Sequence, residues 1–206
     1  MGRRAPLVDL SAILAAAPAG PEDDPATGAI LDATRDLLGQ YGMRRWTMDD
    51  VAEKCGLARA TVYRRFESRN ELVRAVIARE TRLFFGSVTA AVEKVEDIEG
   101  KVVQGFLVGL RLARSSLLAG LLQTDPETAH DLIGSGALVA AGRAALVERY
   151  ETLRGSRLSR LQRQRAEAVA EVLIRLGLTF VLIPDTAIDL EDGALGQLIR
   201  PILGQL

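Results

Sequence analysis

The chain has few of the residues that make covalent and metal chemistry. One cysteine, Cys55, occurs in 206 residues, so no intramolecular disulfide can form and the composition suits a reducing, cytosolic compartment. One histidine, His130, excludes a multi-histidine metal site within a single chain. Aromatic residues make up 4%, and only Lys54, Lys94 and Lys101 are lysines among 26 basic residues. The arginine excess, with abundant Ala, Gly and Leu, reflects coding composition rather than function. A formal charge of −1 excludes capture of polyanions through bulk charge, so any nucleic-acid contact must come from a local patch. No uncharged apolar run approaches the ~18 residues of a membrane-spanning helix, and the chain is expected not to be a membrane protein. Arg3 and Arg4 ahead of Ala5 to Leu14 imitate a secretory signal, but Asp9 interrupts the apolar stretch and argues against one.

What is present is 48% hydrophobic residues, enough for a proper core, arranged with helical periodicity. Residues 1–25, rich in Ala, Pro and Gly, read as an arm with a short helix over Leu7 to Ala16. From Ala26, Ile30, Leu37, Leu38 and Tyr41 form a stripe that stops at Gly42. Thr47 and Asp50 form a capping box with Asp in the Glu position, which predicts a helix from Met48 to Lys54 ending at Gly56. A short helix follows over Ala58 to Phe66, and the capping box Ser68-Arg69-Asn70-Glu71 opens a longer one towards Val88. Two helices this short cannot bury a core alone. They make sense as a helix-turn-helix packed on its neighbours. Beyond residue 92 the pattern stays helical, with Asp125-Pro126 as a helix start, and no alternating strand pattern or internal repeat occurs. The predicted fold is all-α, with an arm (1–25), a helix-turn-helix module (26–72) and a further helical region (73–206).

Ala166 to Ile183 is apolar nearly all round, which fits a central core helix and a helix covered by a second subunit equally well. Val169, Val172, Leu173, Leu176 and Phe180, with Leu195, Leu198 and Ile202 of the last helix, are the candidates for a four-helix dimer interface.

The stretch from Thr47 to Leu72, with Val51-Ala52, Gly56-Leu57-Ala58, Thr61-Val62-Tyr63 and Phe66-Glu67-Ser68-Arg69 at its fixed spacings, resembles the DNA-binding signature of the tetracycline repressor (TetR) family. Ile30, Leu31, Ala33, Leu37 and Gly42 fit the same pattern, and the likeness covers about residues 27–77. The resemblance implies a homodimeric transcriptional regulator, usually a repressor, with a DNA-binding domain over 26–72 and a ligand-binding and dimerisation domain over 73–206, that leaves a double-stranded palindromic operator when a small molecule binds the C-terminal region. It also implies backbone contacts from Thr47, Tyr63, Arg65 and Arg69. Two departures stand out: Ala58 replaces the usual Ser, removing a helix cap, and Arg65 replaces the usual Tyr or His.

Elementary chemistry supports DNA binding independently. Between Arg44 and Arg82 lie ten basic and six acidic residues, so a segment at +4 is hidden inside a chain at −1. A recognition helix places base-reading side chains near its N-terminus. Arg59 can make paired hydrogen bonds to guanine, Ala60 permits close approach, Thr61 offers a hydroxyl and a methyl, and Arg64 lies one turn beyond Ala60. Arg3 and Arg4 are candidates for minor-groove contact, with an idle arm as the default.

The remaining features read as structural. Cys55 fits a packed position rather than a reactive thiol. Glu127 and His130, one turn apart, fit a solvated pair rather than a metal site. Arg154, Arg157, Arg160, Arg163 and Arg165 fit a solvent-facing segment. Phe84, Phe85, Phe106, Leu110 and Tyr150 are candidates for an apolar effector pocket, against the plainer reading as core. No nucleophile elbow, phosphate-cradling loop or cofactor motif occurs, so an enzyme is not expected. The competing function is a helical small-molecule-binding or adaptor protein that has lost DNA reading, supported by the missing Ser at Ala58.

Overall fold

The computed structural model describes residues 24–134, 136–186, 188 and 194–203. Arg3, Arg4 and the helix expected over Leu7 to Ala16 lie outside them. Ten helices follow in order among the described residues: α1 (Pro25–Tyr41), α2 (Met48–Cys55), α3 (Arg59–Arg65), α4 (Arg69–Val92), α5 (Ile98–Arg114), α6 (Leu117–Thr124), α7 (Pro126–Gly134), α8 (Ala137–Arg154), α9 (Arg160–Leu182) and α10 (Ala194–Leu203). No strand occurs among them.

The helix starts follow the capping chemistry. Asp24 caps α1, accepting from the amides of Ala26 and Thr27. Thr47 and Asp50 form the complete reciprocal box at α2. At α4 the box is only half made: Ser68 accepts from the Glu71 amide, but Glu71 reaches past Ser68 to the Glu67 amide at 2.7 Å. Ser159 and Gln162 make a second full box at α9, which the apolar pattern alone did not reveal.

Three apolar clusters organise the chain. The first gathers Ile30, Leu38, Val51, Val62, Leu72 and Val76, all fully buried, with Trp46 and Phe66. Each buried aliphatic side chain contributes roughly 1.5–3 kcal/mol of transfer free energy, which lets the two short helices α2 and α3 hold a fixed shape. Leu121 of α6 and Ala129 of α7 belong to this same cluster, so its core reaches across the expected boundary at residue 72. The second cluster joins Val103 and Leu110 of α5 to Val169, Leu173, Phe180 and Val181 of α9 and to Leu195, Ile199 and Leu203 of α10. The third holds Val147, Ala166 and Ala170, with Tyr150 and Leu158 against them.

Residues 98–124 are long and apolar enough, by composition, to cross a membrane. They do not form one helix, because Ser115 and Ser116 end α5 and cap α6, and Lys101, Arg111 and Arg114 punctuate α5.

Candidate nucleic-acid interface

The unit α2–turn–α3 is built from a few local decisions. Gly56 takes a left-handed conformation (φ 68°, ψ 22°) that a β-carbon disfavours, and its amide returns to the carbonyls of Ala52 and Glu53. The chain then enters α3 at Ala58, which makes no side-chain cap, as the missing serine implies. Val62 and Phe66 anchor α3 in the first cluster. That leaves Arg59, Ala60, Tyr63 and Arg64 exposed and Thr61 half-buried. All four candidate base readers therefore sit on one short, rigidly seated helix.

Arg59 is not free in solution: its Nη1 lies 2.9 Å from Asp49 Oδ2 on α2. Both groups are largely solvated, so the pair contributes little to stability and chiefly restricts where the guanidinium points.

The four residues expected at the phosphate backbone divide. Tyr63 is 48% exposed and presents its ring to solvent. The Thr47 hydroxyl is engaged in the α2 cap, donating to Asp50 Oδ2 at 2.8 Å, and these hydrogen bonds from the Thr47 hydroxyl and amide hold the Asp50 carboxyl below the usual range. Arg65 donates to Asp24 Oδ2 at 2.6 Å and to Thr27 Oγ1 at 2.7 Å, tying the end of α3 to the start of α1. The Thr27 hydroxyl and amide, followed by Arg65, pull the Asp24 carboxyl down to about 2. Arg69 donates to the Met43 carbonyl, and its guanidinium lies 4.2 Å over the Trp46 ring. Burial lowers its pKa. Thus three of the four are engaged by partners within the protein, and Arg65 acts as a strut between α3 and α1.

The local excess of positive charge is likewise partly neutralised. Lys54 pairs with Asp36 at 3.2 Å and Arg79 with Asp32 at 2.7 Å, both on α1. Arg44, Arg45, Arg64 and Arg74 are exposed. Arg44 and Arg45, in the turn before the α2 cap, entered the sequence reading only as charge. Asp49, Trp46 and Asp24 were missed as well. Their partners lie 10, 23 and 41 residues away in the chain, beyond any periodicity a single helix carries.

The other candidates are scattered. Phe84 and Phe85 meet edge to face at 5.3 Å, and Phe106 and Leu110 belong to the second cluster, whereas Tyr150 packs in the third. A cleft of about 720 Å³ between α8 and α9 is lined by Arg143, Val147, Glu151, Arg163 and Glu167 and by none of those five. Glu127 and His130 are exposed, and no cluster of three metal-binding side chains occurs among the described residues. Cys55 is half-buried against the first cluster. Of the arginine series, Arg154, Arg157, Arg160 and Arg165 are exposed, while Arg163 turns in to Glu151 at 2.6 Å.

The expected dimer stripe splits by face. Val169, Leu173, Phe180 and Leu195 fill the chain's own core, and Leu176 packs against it, because this stripe of α9 faces α5 and α10. Val172 (48%) and Leu198 (62%) are exposed, and Leu161, Leu182 and Ile183 join them as exposed apolar side chains that sequence reasoning left out. The Ile202 side chain lies outside the described residues.

A short capped helix, a left-handed glycine turn and an anchored exposed helix define a helix-turn-helix unit. Residues 30–76 match the family described as bacterial regulatory proteins, tetR family. An uncharacterised helix-turn-helix-type transcriptional regulator of Mycobacterium tuberculosis is 30% identical over 124 residues, which is 59% of this chain and 61% of that protein. The regulator YvkB of Bacillus subtilis is 35% identical over 57 residues, 28% of this chain and 30% of that one. Among solved structures, the TetR family repressor AlkX of Dietzia, implicated in n-alkane biodegradation, superposes with a TM-score of 0.58 at 26% identity, over 86% of this chain and 97% of that one. The fatty acid degradation regulator FadR of Bacillus halodurans shares the fold, with a TM-score of 0.59 at 18% identity over 90% and 98% of the two chains. The likeness to tetR-family regulators thus covers residues 30–76 by the family model, and the aligned region spans about three fifths of the length of the Mycobacterium tuberculosis relative.

Proposed function

We propose that the protein is a homodimeric, sequence-specific DNA-binding regulator, a repressor released from a palindromic operator by a small molecule. The observation that carries this reading is the seating of α3: Val62 and Phe66 are buried, and Arg59, Ala60 and Arg64 project together from its other side. A helix presented in this way can enter a major groove, and paired donors on Arg59 suit guanine.

In this reading Arg59, Ala60, Thr61 and Arg64 read bases. Tyr63 supplies a phosphate contact directly, and Thr47, Arg65 and Arg69 act through the shape of the unit, with Arg44 and Arg45 adding charge beside the exposed N-terminus of α2. The second subunit covers Val172, Leu182, Ile183 and Leu198 on α9, its C-terminal flank and α10. The effector belongs to an apolar class, in keeping with the half-buried Phe84, Phe85 and Phe106 around α4 and α5 and with the link between AlkX and n-alkane degradation.

The test is recovery of genomic fragments bound by the full chain, followed by titration of a recovered duplex at several salt concentrations. Sequence-specific binding with a steep salt dependence is expected. A chain that binds an apolar metabolite but no duplex at low salt would instead be the small-molecule-binding protein that has lost DNA reading.

A further inference from the structure

The turn between α1 and α2 is held from four sides. Gly42 ends α1 with its amide on the Leu38 carbonyl, and its own carbonyl accepts from Trp46 Nε1 at 3.1 Å. The Met43 carbonyl accepts from Arg69, at the first turn of α4. The Met43 amide donates to Asp125 Oδ2 at 3.0 Å, from a residue 82 positions later, at the junction of α6 and α7. The other oxygen of the same carboxylate, Oδ1, accepts from the Thr128 amide at 3.2 Å and caps α7.

The fit at this junction is close. Gly42 has φ 72°, and a β-carbon built there would meet Asp125 Cβ at 2.7 Å. Glycine is therefore required both by conformation and by the approach of Asp125. Nearby, α1 and α6 come together where a β-carbon on Gly120 would meet Gly39 Cα at 3.9 Å. Burial works against ionisation of Asp125, but the amides of Met43 and Thr128, the Thr128 hydroxyl and the charge of Arg44 outweigh it and keep the group ionised. A charged acceptor roughly doubles the strength of the bond to the Met43 amide.

We propose that Asp125 is a positioning residue for DNA reading. By gripping the Met43 amide it sets the turn that leads through Trp46 to the Thr47 cap, and so the seat of α2 and α3 against the C-terminal helices. A shift at the α6–α7 junction reaches the reading unit through this bond. The inference rests on the DNA-binding function proposed above.

Asp125→Ser separates the two jobs of the carboxylate, because serine still caps α7 but is too short to reach Met43. The full chain and the variant are titrated with a duplex selected by the parent from a random-sequence pool and with an unselected duplex, across a salt series. Hydrogen exchange at the Met43 amide is followed alongside. The expected result is about a tenfold loss on the selected duplex, equal salt slopes, less than about twofold change on the unselected one, and faster Met43 exchange. Unchanged affinity for the selected duplex overturns the proposal, as does an equal loss on both duplexes or a shallower salt slope, which would make Asp125 a general or direct contributor. If the variant does not fold by circular dichroism, Met43 exchange in the parent decides: protection no greater than that of Arg44 and Arg45 overturns the grip, and strong protection supports it. A parent that binds no duplex at all fails the functional reading itself, which is a separate outcome.

Discussion

Arg59 of the recognition helix is held by Asp49 of the preceding helix, Nη1 to Oδ2 at 2.9 Å. An acid placed there has two consequences on DNA. It aims the guanidinium before binding, and it repels phosphate. Arg59→Ala is expected to relax base preference at one position of each half-site, with a cost of about 1–3 kcal/mol on the preferred duplex. Asp49→Asn is expected to raise affinity for unselected duplexes and narrow the ratio between selected and unselected DNA. Fluorescence titrations on both duplexes check this, and an Asp49→Asn variant with an unchanged ratio contradicts it.

Arg69 stacks on Trp46 and bonds the Met43 carbonyl, so its loss should register in stability. Arg69→Ala is expected to cost roughly 2 kcal/mol, combining a desolvated cation–π contact with a charged hydrogen bond. Urea denaturation at neutral pH measures it. Arg45→Ala, at an exposed position in the same turn, should leave the urea midpoint in place and lower the salt slope of DNA binding by about one. A reversed pattern would make Arg69 the phosphate ligand.

Asp24 links α1 to Arg65 at the end of α3, and its carboxyl sits at about 2 against an ordinary value of 3.8. Because the folded-state value is depressed, the stabilisation is fully present above about pH 4 and disappears as pH falls towards 2. Asp24→Asn should therefore be less stable than the parent at neutral pH and converge with it in strong acid. Denaturation across that pH window tests this; a constant difference down to the lowest pH would remove the carboxylate from the account.

The exposed apolar residues of α9 and α10 predict where the second subunit sits. Val172→Glu combined with Leu198→Glu is expected to give monomers in sedimentation velocity, whereas Leu146→Glu, at an exposed apolar position on α8, should leave the assembly unchanged. A double variant that stays dimeric moves the interface elsewhere.

The helices around the reading unit were legible because their signals are local. Thr47 and Asp50 act across one turn, Gly56 takes a conformation only glycine adopts readily, and Val62 and Phe66 alternate with exposed neighbours. Arg65, Arg69 and Asp49 show why the site was less so. A sequence shows that an arginine is present but not whether its guanidinium is already engaged, and the partners Asp24, Trp46 and Asp49 are set by tertiary packing. The α9 pattern failed differently. A helix apolar on most faces does not say which face its own chain covers, so Val169 and Leu173 fit core and interface equally in the sequence and lie in the core, while Val172 beside them is exposed.

The central claim is that two copies of α3 read DNA together. The most direct measurement is the sequence of duplexes selected by the full chain from a random pool. The account predicts two inverted half-sites whose centres lie about 10 base pairs, or a multiple of that, apart, with preference lost at one position of each half in Arg59→Ala. Selected sequences with no two-fold symmetry, or an Arg59→Ala variant that selects the same sequences as the parent, would contradict it.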